Sequence, residues 1–353
     1  MSKPGFRFAL IATLLALVVV MLGAYTRLSH AGLGCPDWPG CYGFLGVPMS
    51  EHSQALAGSR FPEAPVEVAK GWSEMIHRYF AGTLGLLILG LAIHALRRRG
   101  QAGQPLKLPL LVLGLVILQA AFGMWTVTLK LWPQVVTAHL LGGFATLSLL
   151  FLLTLRLSGA LPRLPRPSPG LRGLAAVALL LVIGQIALGG WVSSNYAAVA
   201  CVDLPTCHGE WWPAMDFANG FHLTQHIGPN YLGGQLDSAA RTAIHMSHRL
   251  GALILSLVLL VLVWRLLRNG LAALGGLLLL ALLVQVSLGL SNVFFHLPLP
   301  VAVAHNLGGA ALLLSMVLVN YRLRAPLSVA AAPSDARATA LAKNSGSLQL
   351  PHA

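Results

Sequence analysis

Long apolar runs separated by short polar connections make up most of this chain. Eight runs are long enough for a helix to cross a hydrocarbon core of about 30 Å, which takes about 20 residues. They lie at 8–28, 75–96, 107–127, 133–156, 172–193, 242–264, 271–292 and 299–321. The pattern predicts an all-α integral membrane protein with eight transmembrane helices.

Composition excludes a water-soluble fold. Hydrophobic residues make up 56% of the 353 positions and charged residues 9%, whereas soluble proteins carry about 25% charged residues. Because Lys3 and Arg7 precede the first run, a cleaved signal peptide is an alternative there. The length of the run, and the likeness of its end to an internal run, favour a retained span.

The net charge of +13 is a topology signal, since the basic residues gather in the connections on one side. That side carries Lys3, Arg7, Arg97, Arg98, Arg99, Lys107, Arg156, Arg163, Arg166, Arg172, Arg265, Arg268, Arg322, Arg324, Arg337 and Lys343. Cytoplasmic connections are rich in Lys and Arg. We therefore expect cytoplasmic termini, outward loops at about 29–74 and 194–241, and no nucleic-acid partner.

The two halves of the chain share residues at a fixed spacing. At a shift of 166 positions Cys35, Cys41 and His139 match Cys201, Cys207 and His305, and at 171 His77 matches His248. Four spans per half predict two tandem four-helix repeats with pseudo-twofold symmetry about the membrane normal. We expect an N-terminal half at 1–158, a Pro-rich cytoplasmic connector at 159–171, a C-terminal half at 172–324 and a disordered cytoplasmic tail at 325–353.

Each half places two histidines in its spans near the outer surface, His77 with His139 and His248 with His305. Ionisable residues within spans are rare and point to function. Two imidazoles at one depth suit a haem iron ligated on both faces. Small residues follow each histidine and leave room for a macrocycle: Ala81 and Gly85, Gly142 and Gly143, Gly251 and Ala252, and Gly308 and Gly309. Helix–helix hydrogen bonding is the alternative, whereas zinc would require three or four ligands at one point.

Charged residues beside the histidines distinguish the halves. Glu74 stands three residues before His77, where the second half has His245, so a carboxylate borders only one pair. Glu74 could accept a proton at a porphyrin edge, or it could be a solvated residue at a helix N-terminus. Arginines at the outer rim are candidate partners of haem propionates: Arg78, Arg249 and Arg27.

Both outer loops contain a C-x5-C motif, Cys35 to Cys41 and Cys201 to Cys207. An oxidising compartment outside the membrane permits disulfides, which we favour as structural bonds that fix the shape of each loop. Thiol–disulfide redox chemistry is the alternative. Metal ligation is a weaker third, because the spacing is not that of common zinc or iron–sulfur sites.

Taken together, the motifs resemble those of the haem A synthase family. They are E-x-x-H-R at 74–78, T-A-H-L-L-G-G at 137–143, H-x-x-H-R at 245–249, A-H-N-L-G-G at 304–309, G-x-x-T-R-L-S-x-A-G-L-G-C at 23–35 and both cysteine loops. The resemblance covers about 8–322. It implies a membrane oxidoreductase that oxidises the C8 methyl of haem O to a formyl group by successive hydroxylations, with water as the oxygen source. The product, haem A, serves haem–copper terminal oxidases.

The resemblance also implies roles for individual residues. His77 and His139 would be the axial ligands of the substrate haem O, and His248 and His305 those of a permanent haem b. Glu74 would be the catalytic carboxylate. Cys35–Cys41 would be a functionally important disulfide, and the role of Cys201–Cys207 is less general in the family.

The same resemblance sets expectations for location and partners. They are the bacterial cytoplasmic (inner) membrane with periplasmic outer loops, lipid, haem O synthase as donor of haem O and an unidentified electron acceptor. A homo-oligomer is left open. Two other functions stay open at this point: a di-haem b-type cytochrome for quinol electron transfer, and a transporter or haem-delivery protein.

Overall fold

The computed structural model describes residues 2–101, 103–159 and 168–324, and this part of the chain is helical apart from loops and two isolated β-bridges. Its helices are α1 (Phe6–Leu28), α2 (Glu51–Arg60), α3 (Val68–Arg97), α4 (Lys107–Thr128), α5 (Pro133–Ser158), α6 (Pro169–Ser194), α7 (Phe217–Gly220), α8 (Ser238–Arg268), α9 (Ala272–Phe294) and α10 (Leu299–Arg324). All except α2 and α7 are long and apolar enough to span a membrane. The eight predicted spans are confirmed as helices, and the protein is a multi-pass membrane protein. Most of the connector (160–167) and the tail (325–353) lie outside the described residues.

Several helices begin earlier than the apolar runs that predicted them. Helix α3 starts at Val68 instead of 75, and α8 starts at Ser238 instead of 242. The side chain of Asp237 caps α8 by accepting from the Ala240 N–H at 2.8 Å. Hydropathy marks the edge of the hydrocarbon core, whereas capping residues mark the end of a helix, so these helices project beyond the apolar region.

The spans form two closed bundles of four. Helices α1, α3, α4 and α5 contact one another in a ring, as do α6, α8, α9 and α10. Within the described residues the diagonal pairs α3 with α5 and α8 with α10 do not bring Cα atoms within 8 Å of each other. The bundles join through contacts of α1 with α10, α5 with α6 and α5 with α10. In each bundle the diagonal helices are therefore separated by side chains of the shared core.

Helix α1 is an integral wall of the first bundle. It contacts α3, α5 and α10, and its residues Ala9, Ala12 and Ala16 are buried in the shared core. Cleavage after α1 would remove a quarter of that bundle, which argues for a retained span over a signal peptide.

The two halves share local backbone features at the spacing found in the sequence. Matched features include the cis peptides Trp38–Pro39 and Leu204–Pro205, the positive φ angles of Tyr42 and His208, and the bridges Cys41 to Phe44 and Cys207 to Glu210. Each pair is separated by 166 positions. These matches are consistent with tandem repeats, and the pseudo-twofold axis stays a prediction.

The second outer loop reaches across to the first bundle. Trp132 Nε1 donates to the Gln225 carbonyl at 3.1 Å, Gln134 Nε2 donates to the Leu223 carbonyl at 2.9 Å, and the Tyr231 N–H donates to the Lys130 carbonyl. The loop thus covers the turn between α4 and α5.

Candidate functional site

The first histidine pair belongs to the N-terminal bundle. His77 lies on α3 and His139 on the diagonally opposite α5. Both rings lie deep within the protein and are near enough to interact electrostatically, yet each keeps part of its surface accessible. Each ring therefore lies inside the bundle with part of its surface still accessible.

The second pair repeats this arrangement in the C-terminal bundle. His248 lies on α8 and His305 on the diagonal α10, and their rings also interact electrostatically. Both are half-buried. The structure thus brings the four sequence-predicted histidines together as two pairs, with each pair confined to one bundle.

A glycine on the neighbouring helix sets the place of each imidazole. A Cβ on Gly23 would lie 2.9 Å from Cε1 of His77, and on Gly123 3.4 Å from Cε1 of His139. The C-terminal equivalents show the same contact, Gly189 at 3.2 Å from His248 and Gly289 at 3.1 Å from His305. A shift of 166 positions pairs Gly23 with Gly189 and Gly123 with Gly289, but only the packing shows their contacts with the imidazoles.

The expected room beside the small residues is only partly present. Glutamine side chains fill the notches at three glycines: a Cβ would lie 1.7 Å from Gln119 at Gly142, 2.4 Å from Gln185 at Gly251 and 2.3 Å from Gln285 at Gly308. The prediction of room for a macrocycle is wrong at these positions, because a neighbouring helix supplies a side chain of matching length. Gly85 and Gly143 meet no atom within 4 Å, so open space exists beside them.

The donor atoms fit a haem in each bundle. The Nδ1 atoms of His77, His139 and His305 are buried, and these rings lie beside the backbone carbonyls of Val19, Gln119 and Gln285 respectively. Two imidazoles on diagonal helices match the ligands of a bis-histidine haem. The described residues contain no group of three or more His, Cys, Asp or Glu that could hold a metal ion, so the zinc alternative gains no support.

Glu74 is buried, and each of its carboxylate oxygens accepts a hydrogen bond. Only 5% of the residue is exposed, in the second turn of α3, so the alternative of a solvated helix N-terminus is wrong. Its Oε1 accepts from Arg78 Nη2 at 2.5 Å, and its Oε2 accepts from the Cys35 N–H at 3.0 Å. One carboxylate therefore joins α3 to the first cysteine loop.

Arg78 completes this connection. Its Nη1 donates to the carbonyls of Asp37 at 3.0 Å, Pro39 at 3.2 Å and Gly40. One guanidinium nitrogen thus binds three carbonyls of the loop between the two cysteines. The other terminal nitrogen binds Glu74.

The second half lacks this acid-centred arrangement. His245 replaces Glu74, and its Nδ1 lies 2.9 Å from the Ala197 carbonyl. Arg249 donates to the carbonyls of Thr206 at 2.9 Å and Cys201 at 3.1 Å. Both halves fasten a loop to a helix through an arginine, but only in the first does the arginine form an ion pair with a buried acid on its own helix.

Both cysteine pairs form disulfides, Cys35–Cys41 and Cys201–Cys207. All four residues are at most 1% exposed, which favours a structural bond over an exposed redox pair. Inside the second loop Asp203 accepts from Thr206 Oγ1 and from the N–H groups of His208 and Gly209. These bonds, the one from Thr206 first, lower the pKa of Asp203 to about 2.

Arg27 connects the two halves at their outer ends. Its Nη2 donates to the Ser193 carbonyl at 2.5 Å, and its guanidinium lies 4.1 Å from the centroid of the Tyr196 ring. His30 stacks on the same ring at 5.5 Å. Burial, followed by the charges of Arg27 and Lys70, lowers the pKa of His30.

Comparison with known proteins agrees with this site. Residues 6–317 match the family model described as cytochrome oxidase assembly protein, COX15-CtaA. A haem A synthase of Shewanella oneidensis is 51% identical over 322 residues, which cover 90% of this chain and 95% of that protein. The chain belongs to the haem A synthase family. Haem A synthases of Paracoccus denitrificans and Arabidopsis thaliana are 28% and 29% identical, over 90% and 87% of this chain and 86% and 72% of their own lengths.

Membership of the haem A synthase family gives the chain its function as an oxidoreductase of haem A synthesis. The di-haem cytochrome and the transporter shared the helices and histidines with this family, but neither accounts for the similarity along nearly the whole chain.

Proposed function

We propose that the N-terminal bundle binds haem O between His77 and His139 and oxidises its C8 methyl group to a formyl group. One observation carries the choice of this bundle: only the helix that bears His77 also holds a buried carboxylate, Glu74, against an arginine. Oxidation of a methyl group releases protons, and a carboxylate held beside one histidine pair can accept them.

The reaction balances with water as the oxygen source. In each of two hydroxylations, one water supplies the oxygen, and two protons and two electrons leave. The resulting geminal diol loses one water to give the aldehyde. Overall, the methyl group and one water yield the formyl group, four protons and four electrons, which pass to an electron acceptor.

Glu74 is the residue we assign to the proton and charge chemistry. Each carboxylate oxygen has a lone pair beyond the bond it already accepts, so the acid can accept a proton from an attacking water while Arg78 and the Cys35 N–H hold it in place. A negative charge at this position also stabilises a cationic carbon at the porphyrin edge. The disulfide Cys35–Cys41 keeps the loop that supplies the Cys35 N–H in shape.

We assign His248 and His305 as the axial ligands of haem b in the C-terminal bundle. When bound, haem b supplies one-electron redox chemistry. The residues of the chain hold its ligands: Gly189 and Gly289 seat the two imidazoles, and Arg249 fastens the outer loop of that half.

The three arginines predicted as propionate partners differ in which of their side-chain N–H groups have no hydrogen-bond acceptor. Arg27 and Arg249 each keep a buried Nε–H without a partner in the described part of the chain. The Nη groups of Arg78 already donate hydrogen bonds to Glu74 and to the loop carbonyls. We therefore propose propionate contacts first for Arg249 and Arg27, and for Arg78 mainly the positioning of Glu74.

Location and partners follow from the same proposal. The membrane would be the bacterial inner membrane, and the Lys- and Arg-rich connections support cytoplasmic termini with the cysteine loops in the periplasm. Haem O is very apolar, so its donor, haem O synthase, would deliver it within the bilayer.

Pigment analysis after co-expression tests the function. The chain is expressed with a haem O source in a host that lacks haem A, and the extracted haems are separated. Haem A in cells with the wild-type chain, and haem O without haem A in cells with Glu74→Gln, are the expected results. Haem B as the only pigment of the purified wild-type protein would favour the di-haem cytochrome, and absence of bound haem would favour the transporter.

A further inference from the structure

The most exposed hydrophobic side chains of the two outer loops stand just after the disulfides. Leu45 is 92% exposed, and Trp211 and Trp212 are 73% and 75% exposed. Leu45 and Trp211 each directly follow the β-bridge beside the second cysteine of their loop. A shift of 166 positions pairs Leu45 with Trp211, so both halves present apolar side chains at the same point of the repeat. We call these three residues the loop tips.

The tip of the first loop lies beside the outer end of a span. Tyr79 Oη, on α3, donates to the Leu45 carbonyl at 2.9 Å. The apolar run of α3 begins at 75, so at about 1.5 Å per residue Tyr79 lies about 6 Å below the outer edge of the hydrocarbon region. Helix side chains lean towards the N-terminus, which is the outer end of α3. Leu45 therefore lies near that edge, where lipid headgroups meet acyl chains.

The tip of the second loop is held at a similar depth on α8. Arg249 donates to two carbonyls of the cysteine loop, at 2.9 and 3.1 Å, and it lies seven residues inside the apolar run that begins at 242. The residues that flank the two tryptophans, Glu210 and Pro213, line a cavity together with Thr242 at the start of that run. The tryptophans therefore also lie near the outer edge of the hydrocarbon region.

The surface beside each tip faces lipid. Tyr79 is exposed on α3, and its counterpart at a shift of 171, Leu250, is exposed on α8. Both residues belong to spans, so their exposed surface contacts the bilayer. The loop tips continue this lipid-facing surface at its outer edge.

We propose that Leu45, Trp211 and Trp212 anchor the two outer loops in the outer leaflet, with their side chains among the upper acyl groups and the headgroups of phospholipids. Tryptophan is enriched at membrane–water interfaces, and interfacial elements bury an apolar face about 5–10 Å into the boundary of headgroups and acyl chains. The tips belong to different bundles, and lipid is the partner that both can contact at once.

The covalent and hydrogen-bonded structure of the loops suits this role. A disulfide closes each cysteine loop, and an arginine fastens each loop to a helix. Each tip is thus held at a fixed height against its span. In the first half the same loop supplies the Cys35 N–H to Glu74, so the anchor holds that loop against α3 from the lipid side. The inference does not depend on which haem each bundle binds.

Spin labelling of the full-length chain in phospholipid nanodiscs with one copy each tests the proposal. All four cysteines of the chain are in disulfides, so one introduced cysteine is the single free thiol. Labels are attached at Leu45→Cys and Trp211→Cys. Leu86→Cys, at an exposed position inside the apolar run of α3, is the lipid reference, and Glu67→Cys, at an exposed position eight residues before that run, is the water reference.

The measurement is the frequency of collisions of each label with molecular oxygen, which concentrates in lipid, and with a water-soluble nickel chelate. We expect the ratio of oxygen to nickel collisions at both tips to exceed that at Glu67→Cys about twofold or more, because the apolar side of the interface excludes the chelate. The ratio should stay below that at Leu86→Cys. Trp212→Cys takes the place of Trp211→Cys if that variant gives no folded protein.

Two results would overturn the proposal. Ratios at the tips equal to that at Glu67→Cys would show that the tips lie in water. Labels that neither reagent reaches would show that protein, and not lipid, covers them. Because no haem enters the measurement, either result leaves the proposed function standing, and a chain that forms no haem A would leave the lipid anchors standing.

Discussion

Glu74 and Arg78 form a buried ion pair one helical turn apart on α3, with 2.5 Å between Oε1 and Nη2. The same two residues also bond to the first cysteine loop, the acid through the Cys35 N–H and the arginine through three carbonyls. The acid thus depends on the helix and on the loop together. Removal of one partner from a buried pair leaves an uncompensated charge, which costs about 3–5 kcal/mol.

Glu74→Gln should abolish haem A formation while the protein still binds haem. The amide keeps the shape of the acid but cannot serve as a proton acceptor, so we expect a loss of at least about 100-fold, within the usual range for a lost acid–base group. Haem A formed per haem O present measures it. Glu67→Gln, at an exposed acid that pairs with Lys70, is the control. Wild-type turnover by Glu74→Gln would refute both roles of the carboxylate.

Arg78→Lys should lower activity about tenfold or more. A lysine keeps the charge, but a single ammonium cannot reach the acid and the loop carbonyls with the geometry of a guanidinium. Arg249→Lys is the matched change in the half that has His245 in place of Glu74, and we expect it to retain more activity. The relative rate of haem A formation in the two variants is the measurement, and equal losses would contradict a special role for the Glu74–Arg78 pair.

Removal of the first disulfide should affect activity more than removal of the second. In Cys35→Ser with Cys41→Ser, the loop that donates its Cys35 N–H to Glu74 loses its cross-link. Cys201→Ser with Cys207→Ser leaves the acid untouched, because that loop bonds to Arg249. Haem A yield and protein abundance, measured together, separate loss of chemistry from loss of protein. A larger activity loss per protein in the second pair of variants would contradict this account.

Gly23→Ala should weaken haem O binding. The new Cβ would lie 2.9 Å from Cε1 of His77, too close for a real contact, so the ring must shift. Gly114→Ala in the same bundle is the control, because a Cβ there meets nothing within 4 Å. Haem O bound per purified protein checks the change, and equal binding by both variants would show that Gly23 does not seat the ring.

Much of the fold could be predicted because the bilayer imposes a simple rule on sequence. A span needs about 20 apolar residues, so all eight helices were found, whereas the start of α3 was missed because its first turns are polar. Helices α2 and α7 were also missed, since they lie in the outer loops and have no apolar run. The capping box between Ser50 and Ser53 that begins α2 is a signal that could have found it.

The site was predicted as far as residue identity allows. Duplication singled out the histidines, and the exchange of Glu74 for His245 singled out the acid. The bonds of Arg78 to the loop and of Tyr79 to Leu45 could not be predicted, because they depend on how neighbouring helices and loops pack. Gly142, Gly251 and Gly308 show the limit most clearly: small residues indicate close approach, but the sequence does not show whether a haem or a glutamine fills the space.

The most direct test of the central claim is haem extraction from single-histidine variants of the purified protein. The account predicts that His77→Ala loses haem O and haem A but keeps haem B, and that His248→Ala loses haem B but still binds haem O. Loss of the same haem in both variants, or no loss in either, would contradict two separate histidine-held sites.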